Sequence, residues 1–145
     1  MIAIDTNVLV RVIVEDTGQP EQTLKARALV SDAQRVYVTQ IVQVELTWVL
    51  AKVYKTSKLD LLSVLQHLLN NPGYVLQHRD RFAAALNIFR HSPADFADCL
   101  ILSESQQAQA ILHTFDKRLA KHGDTAYCES INWVANHRQP NASRN

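Results

Sequence analysis

A three-layer α/β fold is predicted for this chain, because short apolar runs alternate with longer stretches of helical period along most of its 145 residues. Two further observations agree. Glycine and proline are scarce, at 3 and 4 residues, which argues against a β-sandwich or a loop-rich chain. The length suits one domain, and a chain near this size buries roughly 70% of the surface its unfolded form exposes, so no disulfide or metal staple is needed. Strands alternating with helices imply a mostly parallel sheet covered on both faces.

The elements follow in order. Ile2-Ala3-Ile4 is a strand ending at Asp5, and a helical segment continues to about Val14. Gly18-Gln19-Pro20 punctuates, and Pro20 suits the first turn of a helix running to about Ala33. Val36-Tyr37-Val38 is a second strand, with Thr39 placed to cap a long helix to about Tyr54. Ser57-Lys58-Leu59-Asp60 has the form of a capping box, opening a helix that Asn70-Asn71-Pro72-Gly73 must stop. Tyr74-Val75-Leu76 reads as a short strand. From Asp80 to His91, Phe82, Leu86 and Phe89 recur at i, i+4 and i+7, the stripe of an amphipathic helix. Ser92-Pro93-Ala94-Asp95 repeats the capping logic, with Ser at the cap, Pro at the first helical position and Asp reaching back. Ala110-Ile111-Leu112 is expected as another buried strand, leading into Thr114-Phe115-Asp116 and a short basic helix. Residues 1–134 are expected to form the domain, and 135–145 a polar tail with too little apolar content to order itself.

Composition excludes several classes. Hydrophobic residues make up 47% and charged residues 20%, so wholesale disorder is ruled out. The 15 Lys+Arg against 14 Asp+Glu leave a net charge of +1, so any nucleic-acid binding has to be local. Cys99 and Cys128 make neither a metal spacing nor a disulfide framework. The first residues lack the pattern of a signal peptide, and the uncharged stretch Leu61–His78 is broken by Asn70, Asn71, Pro72 and Gly73, so it is no membrane span. A soluble, cytoplasmic protein with reduced thiols is expected.

Four acids sit in unusual places. Asp5 ends the first strand, where open parallel sheets build ligand sites, and Asp116 takes the matching place after the strand at Ile111-Leu112. Each is also a good N-cap. Glu45 has Ile41, Val42, Trp48 and Val49 on its own helical face, so it is expected at the core or its edge, where an unpaired charge is expensive. A salt bridge to Lys52 is the bland alternative. Asp98 projects from a stripe of Ala94, Ile101 and Leu102, with Asp95 one turn before it. Two carboxylates about 4 Å apart repel by roughly 4 kcal/mol at an effective dielectric near 20. A converging group therefore needs a cation or raised pKa values. An all-oxygen set with no His or Cys at ligand spacing favours Mg²⁺ or Mn²⁺ over zinc.

The segments Ile2-Ala3-Ile4-Asp5-Thr6-Asn7-Val8-Leu9-Val10-Arg11, Glu45 in an early long helix, Asp95-Phe96-Ala97-Asp98-Cys99-Leu100-Ile101 and Thr114-Phe115-Asp116-Lys117-Arg118-Leu119 together resemble the PIN domain. More narrowly, they are similar to the VapC toxins of bacterial type II toxin–antitoxin pairs. The resemblance implies a parallel five-stranded sheet between helices and a Mg²⁺-dependent endoribonuclease, with Mn²⁺ as a substitute ion. Asp5, Glu45, Asp98 and Asp116 match the family's metal-binding acids, and Asn7 and Thr114 match bracing positions; Asp95 is a candidate support by its spacing alone, since positions three apart on a helix lie together. Products with 5′-phosphate and 3′-hydroxyl ends are implied. Cys99 stands where a small residue such as alanine is common, which raises the question of oxidation sensitivity.

Arg11, Lys117 and Arg118 are the candidate RNA contacts. The resemblance also implies a VapB-type antitoxin, a homodimer and a toxin–antitoxin hetero-oligomer, with RNA as substrate and no membrane. Two rivals differ in class. A haloacid-dehalogenase phosphotransferase needs a second acid two residues after the first, and Asn7 stands there instead. A non-catalytic PIN-like RNA-binding module would keep the acids only as helix caps.

Overall fold

A computed structural model describes residues 1–128. The element order is β1 (Ile2–Ala3), α1 (Thr6–Ile13), α2 (Pro20–Asp32), β2 (Val36–Val38), α3 (Gln40–Lys52), α4 (Lys58–Asn70), β3 (Tyr74–Leu76), α5 (Arg79–His91), α6 (Phe96–Gln107), β4 (Leu112–Thr114) and β5 (Thr125–Tyr127). A 3₁₀ turn at Leu119–Lys121 precedes β5. The α/β class is as expected, and every strand pairing is parallel. The expected single five-stranded sheet is corrected in one respect. The strands hydrogen-bond as a three-stranded sheet, β1-β2-β3, and a separate pair, β4-β5. Strands of two or three residues offer few ladder bonds, so side-chain packing holds the fold more than pairing does.

Helix starts are set by polar side chains placed where the first turn has unpaired N–H groups. Asp5 accepts from the Val8 amide at 3.0 Å, Thr39 from Val42 at 3.4 Å, and Ser57 from Asp60 at 3.2 Å. Pro20 begins α2, where its missing N–H is no loss. At the sixth helix the expectation is corrected. Asp95, not Ser92, is the N-cap, accepting from the Asp98 amide at 2.8 Å, while Ser92 closes α5 and turns the chain by accepting from the Ala94 amide. Proline at 93 disfavours helix for the residue before it, so the chain stays extended at Ser92.

The core sits where α5 and α6 pack on the remaining helices. Phe82, Leu86 and Phe89 are buried, as their spacing predicts. The Phe82 and Phe89 rings meet Phe96 edge-on at centroid distances of 5.3 and 5.9 Å. Gln43 was not foreseen as a core residue. It is fully buried on α3, and its amide donates to the Val38 carbonyl at 3.2 Å and to the Gln77 carbonyl at 3.0 Å. Gln77 in turn accepts from the Gln40 amide at 2.8 Å. These bonds clamp the ends of β2 and β3 to the start of α3.

The fourth strand lies two residues later than predicted and none of its residues is buried; Ile111, expected inside it, precedes it and is 57% exposed. The polar tail expected at 135–145, and the domain's expected last residues 129–134, lie outside the described residues. Among the described residues no helix is long and apolar enough to cross a membrane.

Candidate functional site

The ends of β1 and β2 place the first two acids. Asp5 caps α1 as the chain leaves β1, and the next residue, Thr6, is buried. The Thr6 hydroxyl donates to Glu45 Oε2 at 3.2 Å, so α1 and α3 hold Asp5 and Glu45 on either side of one side chain. Glu45 is exposed, so of the core or core-edge position expected for it the core is excluded. Its face of α3 is open: Ile41 and Trp48 are 70% and 45% exposed. With Ala97, Leu100 and Ile101 of α6 they line an apolar groove of about 540 Å³. Asn7 is exposed beside Asp5, and both border a cleft between α1 and α2.

The other acids gather at the start of α6. Asp98 is half-buried in the first turn, one turn from the capping Asp95. Burial pushes its carboxyl up from the ordinary value, and the charges of Asp95 and then Asp116 push it further, against a pull from Arg118. Asp116 behaves oppositely. Its Oδ1 accepts from the Leu119 amide at 3.2 Å and the Arg118 amide at 2.8 Å, and these bonds hold its carboxyl below the usual range. The Arg118 guanidinium lies 3.6 Å from Asp116 Oδ2 and adds to the effect. The Thr114 hydroxyl accepts from the Asp116 amide at 3.0 Å, fixing the turn that presents the acid.

The four matched acids are thus brought together as two groups, Asp5 with Glu45 around Thr6, and Asp98 with Asp116 and Asp95. Among the described residues, no three His, Cys, Asp or Glu side chains stand close enough together to hold a metal ion. The donor chemistry nevertheless fits a hard divalent cation. Every candidate ligand is a carboxylate oxygen, and Asp98 is held among like charges by a fixed helix start.

The basic candidates differ in their surroundings. Arg118 is well exposed beside Asp116 and borders the cavity that Asp95 and Asp98 line. Lys117 is exposed, with its ammonium 5.8 Å from the Tyr127 ring. Arg11 is engaged internally: it pairs with Asp16 at 3.0 Å and bonds Gln22 and the Tyr54 hydroxyl, tying α1 to α2 and to the end of α3. The Cys99 thiol is fully buried and pushed up to about 12, chiefly by burial and then by Asp95 and Asp98. Burial and the raised thiol both disfavour the reactive thiolate, which argues against the oxidation sensitivity expected at this position.

Thr6 and Lys58 were not singled out from the sequence. Only the spacing of Thr6 behind an N-capping Asp hinted at a role, and nothing local marks Lys58, which joins the cavity through tertiary packing. Residues 2–124 match the family model described as PIN domain. No curated protein matches the chain.

Proposed function

The chain belongs to the PIN-domain family, and on that premise we propose that it is a metal-dependent endoribonuclease, the toxin of a bacterial type II toxin–antitoxin pair. PIN domains are usually metal-dependent nucleases. The observation that supports the reading best is the position of Asp98 in the first turn of α6 with the charges of Asp95 and Asp116 acting against its own, a repulsion that a bound cation would relieve. Asp5, Glu45, Asp98 and Asp116 would hold Mg²⁺, or Mn²⁺ in its place. When bound, such an ion lowers the pKa of a water and offsets the negative charge of a phosphodiester.

The chain's own residues do the rest. Thr6 orients Glu45, Asp95 fixes the first turn that carries Asp98, and Thr114 sets the turn that carries Asp116. Asn7 flanks Asp5. The exposed Arg118 and Lys117 meet RNA phosphates, and Arg11 lines and braces the cleft beside Asp5. The partners proposed are RNA, a VapB-type antitoxin and a second copy of the chain, alone or within a toxin–antitoxin hetero-oligomer. The proposed setting is the cytoplasm, with residues 1–134 as the PIN unit and 135–145 as an appended tail.

A second reading, a non-catalytic RNA-binding module, draws on a specific observation. Asp5, Asp95 and Asp116 each cap backbone N–H groups, so each has a structural use without metal. Induction in a bacterial host separates the two. The toxin reading predicts growth arrest by the parent and growth with Asp5→Asn or Asp98→Asn at equal expression. Equal arrest, or equal growth, in all three strains refutes it.

A further inference from the structure

A cavity of about 410 Å³ lies beside Asp98, walled by the C-terminal half of α3, the start of α4 and the turn into α6. We propose that this cavity is a subsite for an unpaired RNA base flanking the phosphate to be cut, with Trp48 as its stacking surface and Lys52 and Lys58 as contacts to the adjoining phosphates. The proposal rests on the ribonuclease reading and names the form of substrate that the site takes.

The walls differ in kind. The floor is apolar, with Leu61, Phe89 and Phe96, whereas the rim carries Lys52, Lys58 and Arg118 against Asp95 and Asp98. An excess of cations around an apolar floor matches a ligand that is flat and apolar at one end and anionic at the other. A nucleotide has that make-up. Trp48 is 45% exposed at the lip, although a ring of its size is ordinarily drawn into the core. The Lys52 ammonium stands over one face of that ring, 6.0 Å from its centre, so the positive charge is already held next to the aromatic surface and the opposite face is the one a base would stack on.

Lys58 is held rather than free. Its ammonium donates to the Ser92 carbonyl and lies 4.8 Å from the centre of the Phe89 ring. An ammonium has three donors, so two remain for an anion at a fixed place on the wall. Asp98 lines the same cavity, so a base seated here is the immediate neighbour of any phosphate at the carboxylates. Paired bases keep their faces stacked inside the helix, so only an unpaired segment can present one to Trp48.

The test uses the full chain and a fluorescein-labelled, unstructured 12-nucleotide RNA, alone or annealed to its complement. Binding is read by anisotropy in EDTA and cleavage by initial rates in Mg²⁺. Trp48→Ala should raise Kd and KM for the single strand about 10-fold, within the range for losing one stacked base. It should leave kcat within about 2-fold, and Trp48→Phe should restore most of the loss. Lys52→Gln with Lys58→Gln should flatten the dependence of Kd on salt. The subsite is refuted if Trp48→Ala keeps its circular dichroism and binds single strands as the parent does, or if single and paired strands lose equally. It is also refuted if Trp48→Ala changes only the oligomeric state, which assigns this face to a protein partner. A parent that cuts RNA while Trp48→Ala behaves normally removes the subsite alone. A parent that neither binds nor cuts RNA removes the nuclease reading with it.

Discussion

Replacing Asp98 by asparagine should abolish activity and, in the absence of metal, stabilise the protein. The carboxylate sits half-buried with Asp95 and Asp116 acting against its charge and Arg118 acting for it. Solvent-screened pairs of this kind are worth about 0.2–1 kcal/mol each. The N-terminus of α6 favours the charge by a few tenths of a kcal/mol more. Two repulsions and a desolvation cost against two attractions leave a net gain of about 0.5 kcal/mol for the neutral isostere. That corresponds to a rise of about 2 °C in Tm for a domain of this length.

The sign with pH follows from the raised carboxyl. Its ionisation costs the folded state most above the folded-state pKa, and the cost disappears below the unfolded value near about 4. The advantage of Asp98→Asn should therefore be present at pH 7 and shrink as the pH falls towards 4. Magnesium should reverse the order, because an ion at 100 times its Kd adds about 2.7 kcal/mol to the parent alone. Thermal unfolding followed by circular dichroism, in EDTA and in Mg²⁺, reads all of this. A variant that melts several degrees below the parent in EDTA would show that Asp98 is a structural partner, and the reasoning would fail.

Other outcomes follow from single contacts. Thr6→Val removes the hydroxyl that holds Glu45 and should cost about 1 kcal/mol in urea unfolding, with a lower cleavage rate at unchanged RNA affinity. Gln43→Leu withdraws the buried amide from Val38 and Gln77 and should cost about 1–3 kcal/mol, read as a lower urea midpoint. Asp16 is held below the usual carboxylate range by the Gly18 amide and then the Tyr54 hydroxyl, with Arg11 adding to both. Its contribution is complete above the unfolded pKa and is lost as pH falls through the depressed folded value, so Asp16→Asn should lower Tm at pH 7 and match the parent in strong acid. Native-state alkylation with iodoacetamide at pH 8, followed by mass spectrometry, should leave Cys99 unmodified; rapid labelling would contradict its burial.

Much of the fold was legible because local chemistry and tertiary need agree. Thr39 and Ser57 cap where they are expected to, and Pro20 opens α2. The misplacement at Ser92 has an identifiable cause: two cap-forming residues, Ser92 and Asp95, stand three positions apart around Pro93-Ala94, and the chain uses the second, beside the packed Phe96 ring. The late, open β4 shows a different limit, since an apolar triplet does not reveal whether anything will cover it.

Within the site, Asp5, Asp98 and Asp116 were readable as acids at element ends. Glu45 was picked out for a wrong reason. Its apolar neighbours line an open face, and only the hydrogen bond from Thr6, 39 positions away in sequence, ties it to Asp5. Arg11 shows the converse, because its pairing with Asp16 and Tyr54 depends on how α1 meets the end of α3. Contacts of that range follow from packing and leave no local signature.

The most direct test of the central claim is cleavage by the purified full chain, with RNA 5′ ends mapped by sequencing in Mg²⁺ and in EDTA, beside Asp5→Asn and Asp98→Asn. Discrete new 5′-phosphate ends from the parent in Mg²⁺ alone are the predicted result. The same 5′-end map from folded parent and variants, or ends that persist in EDTA, would contradict a metal-dependent ribonuclease built on these acids.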